Sequence, residues 1–323
     1  MSLKNKSILV TGGAGFIGSH LVDRLIKEEP EKITVASNFF LGKPENLAEA
    51  QRNFPELKII GCDVSDYEDI KDCIVDNKID VVFNLAVIPL PTSLVRPEWT
   101  IRKNIEMTLN ICKLLREDKF KTLIQFSSSE AVGGAKQVPM NENHPLDPET
   151  PYAASKAATD HIALSYHHTF GCEVSVVRPF NQYGPRQNAK KYAGIIPLVI
   201  GRMLKGEDVF IDGDGEQTRD FLYVTDTAEA TIMINNNRVT LGKVINIASG
   251  KEITVNALIK KIAELLNYRK PFVYREARPG DVRRHVADIS LARQLINWGP
   301  KVNFEEGLRR TAEWYKQHPE VFE

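Results

Sequence analysis

Residues 11–18 read Thr-Gly-Gly-Ala-Gly-Phe-Ile-Gly and follow directly on the apolar run Ile8-Leu9-Val10. Glycines at 12, 15 and 18 suit one local geometry. Gly12 permits a tight turn, Gly15 lets backbone approach an anion, and Gly18 lets the next helix lie close to its strand. The helix that follows, carrying Phe16 and Ile17, then points unpaired N–H groups at that anion. With a strand before it and a helix after it, this spacing reads as a dinucleotide pyrophosphate site.

The rest of the first half extends that unit. Short apolar runs occur at 8–10, 33–36, 57–60, 81–85, 122–126 and 174–177, with helical patterns between them at 15–27, 66–75, 97–116 and 151–168. Near-continuous apolar strands separated by helices predict an α/β fold, a doubly wound parallel sheet covered on both faces. Ligands of such sheets bind beyond the carboxyl ends of the strands. After residue 180 proline and glycine become frequent, which marks a smaller C-terminal α/β lobe. The expected division is 1–180 for dinucleotide binding and 181–323 for substrate, with an approximate boundary that the chain is free to cross back over.

Composition excludes several classes. Of the 323 residues, 42 are Lys or Arg and 42 are Asp or Glu, so no global field favours nucleic acid or a membrane surface. No apolar run approaches the ~18 residues of a membrane span. Cys62, Cys73, Cys112 and Cys172 are scattered without a metal or disulfide spacing. Free thiols in a reducing cytoplasm are the expected setting, and no metal is expected.

The second strand ends at Ser37-Asn38, where a dinucleotide site of this kind places an acidic residue on the adenosine ribose. Serine cannot hold a ribose diol as a carboxylate does, and Lys43 is the nearest cation. NAD is favoured and NADP stays open. After the third strand, Asp63-Val64 serves either as an adenine contact or, through Asp63, as a helix cap.

Pro-Tyr-Ala-Ala-Ser-Lys at 151–156 opens a helix, with Thr150 as its cap and Pro151 in its first turn. Tyr152 and Lys156 share one face at i,i+4. A nearby cation favours phenolate, so Lys156 is expected to draw Tyr152 below its reference pKa of ~10.

Together these landmarks resemble the extended short-chain dehydrogenase/reductase family of nucleotide-sugar epimerases and dehydratases. The resemblance covers nearly the whole chain and implies a Rossmann fold. Leu85-Ala86, Ser93 and Pro97 are similar to the loop after strand four, and Asn104 occupies the place of the family's helix-four asparagine. Ser127-Ser128-Ser129-Glu130 ends strand five. Arg178-Pro179-Phe180-Asn181, the segment Gly213–Phe221 with Arg219, and Arg278-Pro279-Gly280-Asp281 resemble the family's substrate-side motifs.

The resemblance implies that Tyr152 takes a proton from the sugar O4, that Lys156 holds the nicotinamide ribose, and that Ser128 hydrogen-bonds O4. Ser127 lies beside the cofactor. Ser93, Asn181, Arg219, Arg278 and Asp281 would bind an NDP-sugar, with both arginines on its diphosphate. Arg219 and Arg278 also suit plain surface salt bridges.

Glu130 decides among reactions. Epimerases of the family usually carry a small or hydroxyl residue there, whereas dehydratases and decarboxylases carry Glu. An NDP-hexose 4,6-dehydratase is therefore the first expectation, with a 4-epimerase second and a uronate decarboxylase third. Ser129 replaces the aspartate that would protonate a departing C6 hydroxyl. In a register shifted by one, Ser129 would be the catalytic hydroxyl, and Glu130 also suits a rim or capping role. The segments 88–91 and 186–194 are expected to shape the sugar pocket. A homodimer through helices 97–116 and 151–168 is implied by the resemblance; the alanines of the second helix also suit close packing on its own sheet.

Overall fold

The computed structural model describes residues 1–190, 193–277 and 282–323. Strands β1 (Ser7–Thr11), β2 (Lys32–Ser37), β3 (Leu57–Gly61), β4 (Val81–Asn84), β5 (Thr122–Phe126) and β6 (Glu173–Pro179) alternate with helices α1 (Phe16–Leu25), α2 (Ala48–Asn53), α3 (Tyr67–Asp76), α4 (Leu90–Ser93), α5 (Pro97–Arg116) and α6 (Pro151–Phe170). Further along are β7 (Asn181–Tyr183), α7 (Ile195–Leu204), β8 (Phe210–Asp212), β9 (Thr218–Arg219), β10 (Phe221–Tyr223), α8 (Val224–Asn236) and β11 (Val244–Ile247). β12 (Ile253–Thr254), α9 (Val255–Leu266), β13 (Val273–Arg275), α10 (Ser290–Ile296) and α11 (Phe304–Gln317) complete the order.

Seven strands form one sheet in the order β11-β6-β5-β4-β1-β2-β3. Every pairing in it is parallel. The expected doubly wound α/β sheet is present, and each of the six predicted runs contributes a strand. The apolar runs are continuous because alternate side chains serve opposite layers. Ile8, Val10, Phe83 and Ile124 pack with Leu21, Leu25 and Ile234 of α1 and α8. Leu9, Val82 and Leu123 pack with Ile70, Ile111 and Ala163 of α3, α5 and α6.

A second core lies in the later chain, where Tyr183, Ile200, Leu258 and Leu308 bring α7, α9 and α11 together. The later chain does not stay on that side. Helix α8 returns to pack on α1, and β11 joins the large sheet beside β6. The two cores are therefore threaded by one chain that crosses between them repeatedly. No helix among the described residues is long and apolar enough to cross a membrane.

Asp220 pins one of these crossings. Fully buried between β9 and β10, it accepts from Ser249 N (2.8 Å), Ser249 Oγ (2.6 Å), Gly250 N (3.0 Å) and Ala287 N (3.2 Å). Burial still pushes its carboxyl up to about 6, against the pull of those donors. Removing the carboxylate leaves buried donors without partners, a loss of roughly 3 kcal/mol. Asp220→Ala is expected to lower the urea midpoint accordingly, and an unchanged midpoint would show that the cluster contributes nothing.

Candidate active site

The glycine turn closes as its spacing requires. Gly12 has φ +65°, and a Cβ there would stand 3.1 Å from Ala86 N and Leu85 O. A Cβ on Gly18 would stand 2.5 Å from Gly12 O. Helix α1 starts after Gly15 with no side-chain cap and no acidic residue in its first turn, so its first N–H groups face a site that favours an anion. Thr11 Oγ1 accepts from Leu85 N and Ala86 N, each at 3.1 Å, and donates to Asn84 Oδ1 at 2.6 Å. That threonine, which the sequence pattern leaves unmarked, seats the loop after β4 against the turn.

A cleft of about 1310 Å³ runs over the carboxyl ends of the strands. Its wall includes Gly12, Gly15, Phe16, Ile17, Gly18, Ser37, Asn38, Lys43, Val64, Leu85, Ala86, Ser127, Ser128, Tyr152 and Lys156. Most of the predicted cofactor positions thus lie together. Asp63 is placed differently: its Oδ1 accepts from Ser65 N (3.0 Å) and Ser65 Oγ (2.6 Å), and its neighbours Cys62 and Val64 line the cleft in its stead. Asn104 is also off the wall. It clamps Ile88 through N–H···Oδ1 (2.8 Å) and Nδ2–H···O (3.2 Å), and donates to Ser155 Oγ at 2.9 Å. It joins the loop after β4 to α5 and α6.

The Ser-Tyr-Lys group assembles where β5 and α6 meet. Thr150 caps α6 by accepting from Ala153 N at 3.1 Å. The Ser128 hydroxyl shares a hydrogen bond with the Tyr152 phenol and accepts from Glu130 N at 3.2 Å. Ser129 is buried, and its backbone is hydrogen-bonded by His285. Of Ser128 and Ser129, Ser128 is the one that lines the cleft with Tyr152.

Electrostatics differ from the expectation for Tyr152. The residue is partly exposed on the cleft, yet desolvation pushes its phenol up to about 12, with the Glu130 and Asp160 carboxylates adding to the rise and Ser128 opposing it. Lys156 does not pull it down because its ammonium donates to the Phe126 carbonyl. Burial draws Lys156 down to about 8, with Asp160 opposing. Spacing on a helix fixed the neighbourhood of the two groups without fixing where the ammonium points.

The substrate-side positions are scattered. Ser93 is buried and donates to Leu90 O at 2.7 Å. Asn181 Nδ2 donates to Asp220 O at 3.4 Å. Arg219 Nη1 donates to Thr218 O (2.8 Å) and Val282 O (2.6 Å). None of these three lines the cleft, nor do Ser129 and Glu130. Arg278 and Asp281 lie outside the described residues. Ile88 and residues 186–190, from the two segments expected near the sugar, line the wall, and Gln182, Trp314 and His318 join them. Gln182 alternates with Asn181 along β7, a shift of one residue that reverses the face. Trp314 on α11 stacks at 4.4 Å on His318, the residue just past the end of that helix.

A parallel sheet ordered 3-2-1-4-5-6, a glycine turn at its first strand and a Ser-Tyr-Lys group at the end of the fifth define a Rossmann-fold protein of the extended short-chain dehydrogenase/reductase type. The chain belongs to the GDP-mannose 4,6 dehydratase family, whose family model matches residues 9–311. It is similar to a UDP-N-acetylglucosamine 4-epimerase from Methanobrevibacter ruminantium solved with UDP-N-acetylmuramic acid (37% identity, 98% of this chain and 99% of that one, TM-score 0.90). A UDP-N-acetyl-alpha-D-glucosaminuronate decarboxylase from Bacillus cytotoxicus is 33% identical over 97% of this chain and 98% of its own. A dTDP-glucose 4,6-dehydratase from Bacillus anthracis, solved with NAD, is 31% identical, covers 98% of each chain and has a TM-score of 0.88.

The raised phenol is testable directly. The tyrosinate difference spectrum between the parent protein and Tyr152→Phe is expected to contain no component titrating between pH 7 and 9. A component in that window would show that the Lys156 cation outweighs desolvation.

Proposed function

We propose that the protein is an NAD-dependent enzyme that oxidises an NDP-sugar at C4 and then eliminates water, an NDP-hexose 4,6-dehydratase. The glycine cradle supports NAD: the Cβ-free approach at Gly12 and Gly18 and the uncapped start of α1 fit a pyrophosphate. Lys156 stands at the other end of the wall to meet a ribose. Bound NAD would supply a reversible hydride acceptor at the cleft floor.

The chain's own residues account for the proton chemistry. Ser128 would hold the sugar O4 beside the Tyr152 phenol. Tyr152 would receive the O4 proton, and general acid–base assistance of that kind is worth ~10²–10⁴-fold. A phenol held near 12 by burial is a poor base by itself, so the site depends on added positive charge, which the oxidised nicotinamide ring of bound NAD would supply, to bring the phenolate within reach. Oxidation at C4 acidifies the C5 hydrogen. Glu130 would remove it: it follows Ser128 by two residues and donates its backbone N–H to the Ser128 hydroxyl at 3.2 Å, and a carboxylate at that place beside the Ser-Tyr pair is the observation that supports the dehydratase reading.

A second reading, the 4-epimerase, is supported by Ser129. A buried serine that does not line the cleft stands where the family's proton donor for a departing C6 hydroxyl would be. The homodimer remains part of the proposal: Leu109 on α5 is exposed, and a monomer by light scattering would remove it.

Incubation with UDP-, dTDP- and GDP-hexoses separates the readings. A 4-keto-6-deoxy product, seen by its absorbance in alkali and by NMR, is expected for the dehydratase. A C4 epimer alone would replace that reading with the epimerase, and carbon dioxide from a UDP-uronate would replace it with the decarboxylase. Tyr152→Phe is expected to lower kcat ~10²–10⁴-fold. Glu130→Gln is expected to abolish elimination yet still allow nicotinamide reduction at 340 nm; full turnover in this variant would remove Glu130 from the mechanism.

A further inference from the structure

Behind Tyr152 and Lys156, three side chains from three elements meet away from solvent. Asp160 stands one turn beyond Lys156 on α6. Its Oδ2 accepts from the Ser127 hydroxyl at the end of β5 (2.6 Å) and from Nη2 of Arg178 on β6 (3.1 Å). The Arg178 and Asp160 side chains are only 3% and 2% exposed. Arg178 Nε and Nη1 and Asp160 Oδ1 have no protein partner.

Stability alone does not account for this arrangement, because a buried ion pair roughly breaks even against apolar residues of the same volume. Its connections do. Ser127 and Lys156 both line the cleft. The Lys156 ammonium donates to the carbonyl of Phe126, the residue just before Ser127. The carboxylate therefore holds the β5 terminus through Ser127, and that terminus holds the ammonium.

The charged groups facing the cluster are few. From α6 itself come Lys156 and the Tyr152 phenol, on both of which the Asp160 charge acts. Arg178 faces it from β6. Glu142, in the segment between β5 and α6, lies in the field of Arg178 and accepts from Asn246 N at 2.9 Å. Glu130 acts on Tyr152 from the start of the same segment.

We propose that Asp160 is a positioning residue, whose buried carboxylate, fixed between the Ser127 hydroxyl and the Arg178 guanidinium, is the counter-ion that anchors Lys156 and the β5 terminus at the cleft wall. The proposal rests on the reading above only in assigning Lys156 to the cofactor side. Arg178 acts through Asp160, holding its carboxylate in place by the Nη2–Oδ2 contact at 3.1 Å.

The test compares Asp160→Asn, Asp160→Glu and the double variant Asp160→Asn/Arg178→Gln, which leaves no orphaned cation to unfold the protein. The first readout is the titration of Lys156 itself, taken from pH-resolved acylation rates by mass spectrometry. Loss of a neighbouring anion lowers an ammonium pKa, so both Asn variants are expected to move the Lys156 midpoint down by ~1 pH unit. Asp160→Glu is expected to restore it. With NDP-sugar, kcat is expected to fall ~10-fold further at pH 8 than at pH 6.5, with KM within about twofold, because the charged lysine is then lost at a lower pH. Parent-like Lys156 titration in a folded Asn variant would overturn the proposal, as would an Asp160→Glu protein that behaves like Asn. If the parent protein turns over no nucleotide sugar, the proposed function fails, while the Lys156 titration still decides this one.

Discussion

The constraint on which the site depends is a distance too short for a side chain. Where a Cβ would stand on Gly18, the carbonyl oxygen of Gly12 is 2.5 Å away. That closeness presses the first turn of α1 onto the end of β1 and aims its free N–H groups along the sheet edge. Thr11, the last residue of β1, then carries the contact sideways by accepting from the backbone at Leu85 and Ala86. Asn104 extends it to α5 and α6 through Ile88 and Ser155. The anion end and the Ser-Tyr-Lys end of the cleft are thus braced by a continuous run of buried hydrogen bonds.

Burial sets the resting chemistry of that cleft. It moves Tyr152 up and Lys156 down, in each case toward the neutral form. The protein therefore brings the two groups to one wall without charging them. Desolvation makes any charge brought into the cleft count for more than it would in water, so a bound ligand's own charge becomes part of the switch between phenol and phenolate.

Much of this was legible in the sequence because period and spacing are local properties. The six apolar runs became β1–β6, and residues 97–116 became α5 with the same limits. The glycine turn and Tyr152, Lys156 and Ser128 were found from short-range patterns that the fold preserves, and they line one cleft. Other assigned side chains are engaged by partners within the protein and do not line that cleft. Asp63 turned to Ser65, Ser93 to Leu90, and Asn181 to Asp220. The direction of the Lys156 ammonium and the Ser127–Asp160–Arg178 cluster depend on elements far apart in sequence, so no local pattern could carry them. The return of β11 to the large sheet is illegible for the same reason: a four-residue apolar run does not say which sheet it joins.

That return has a consequence for how such proteins can diversify. With β11 hydrogen-bonded to β6 and α8 packed on α1, the later chain is stitched into the large sheet and its covering layer. Recombination cannot transplant it as a cassette, since any cut after β6 removes an edge strand and a covering helix from the donor sheet. New specificities on this scaffold must arise by drift within loops such as residues 186–190, and relatives that catalyse different reactions should remain collinear from end to end.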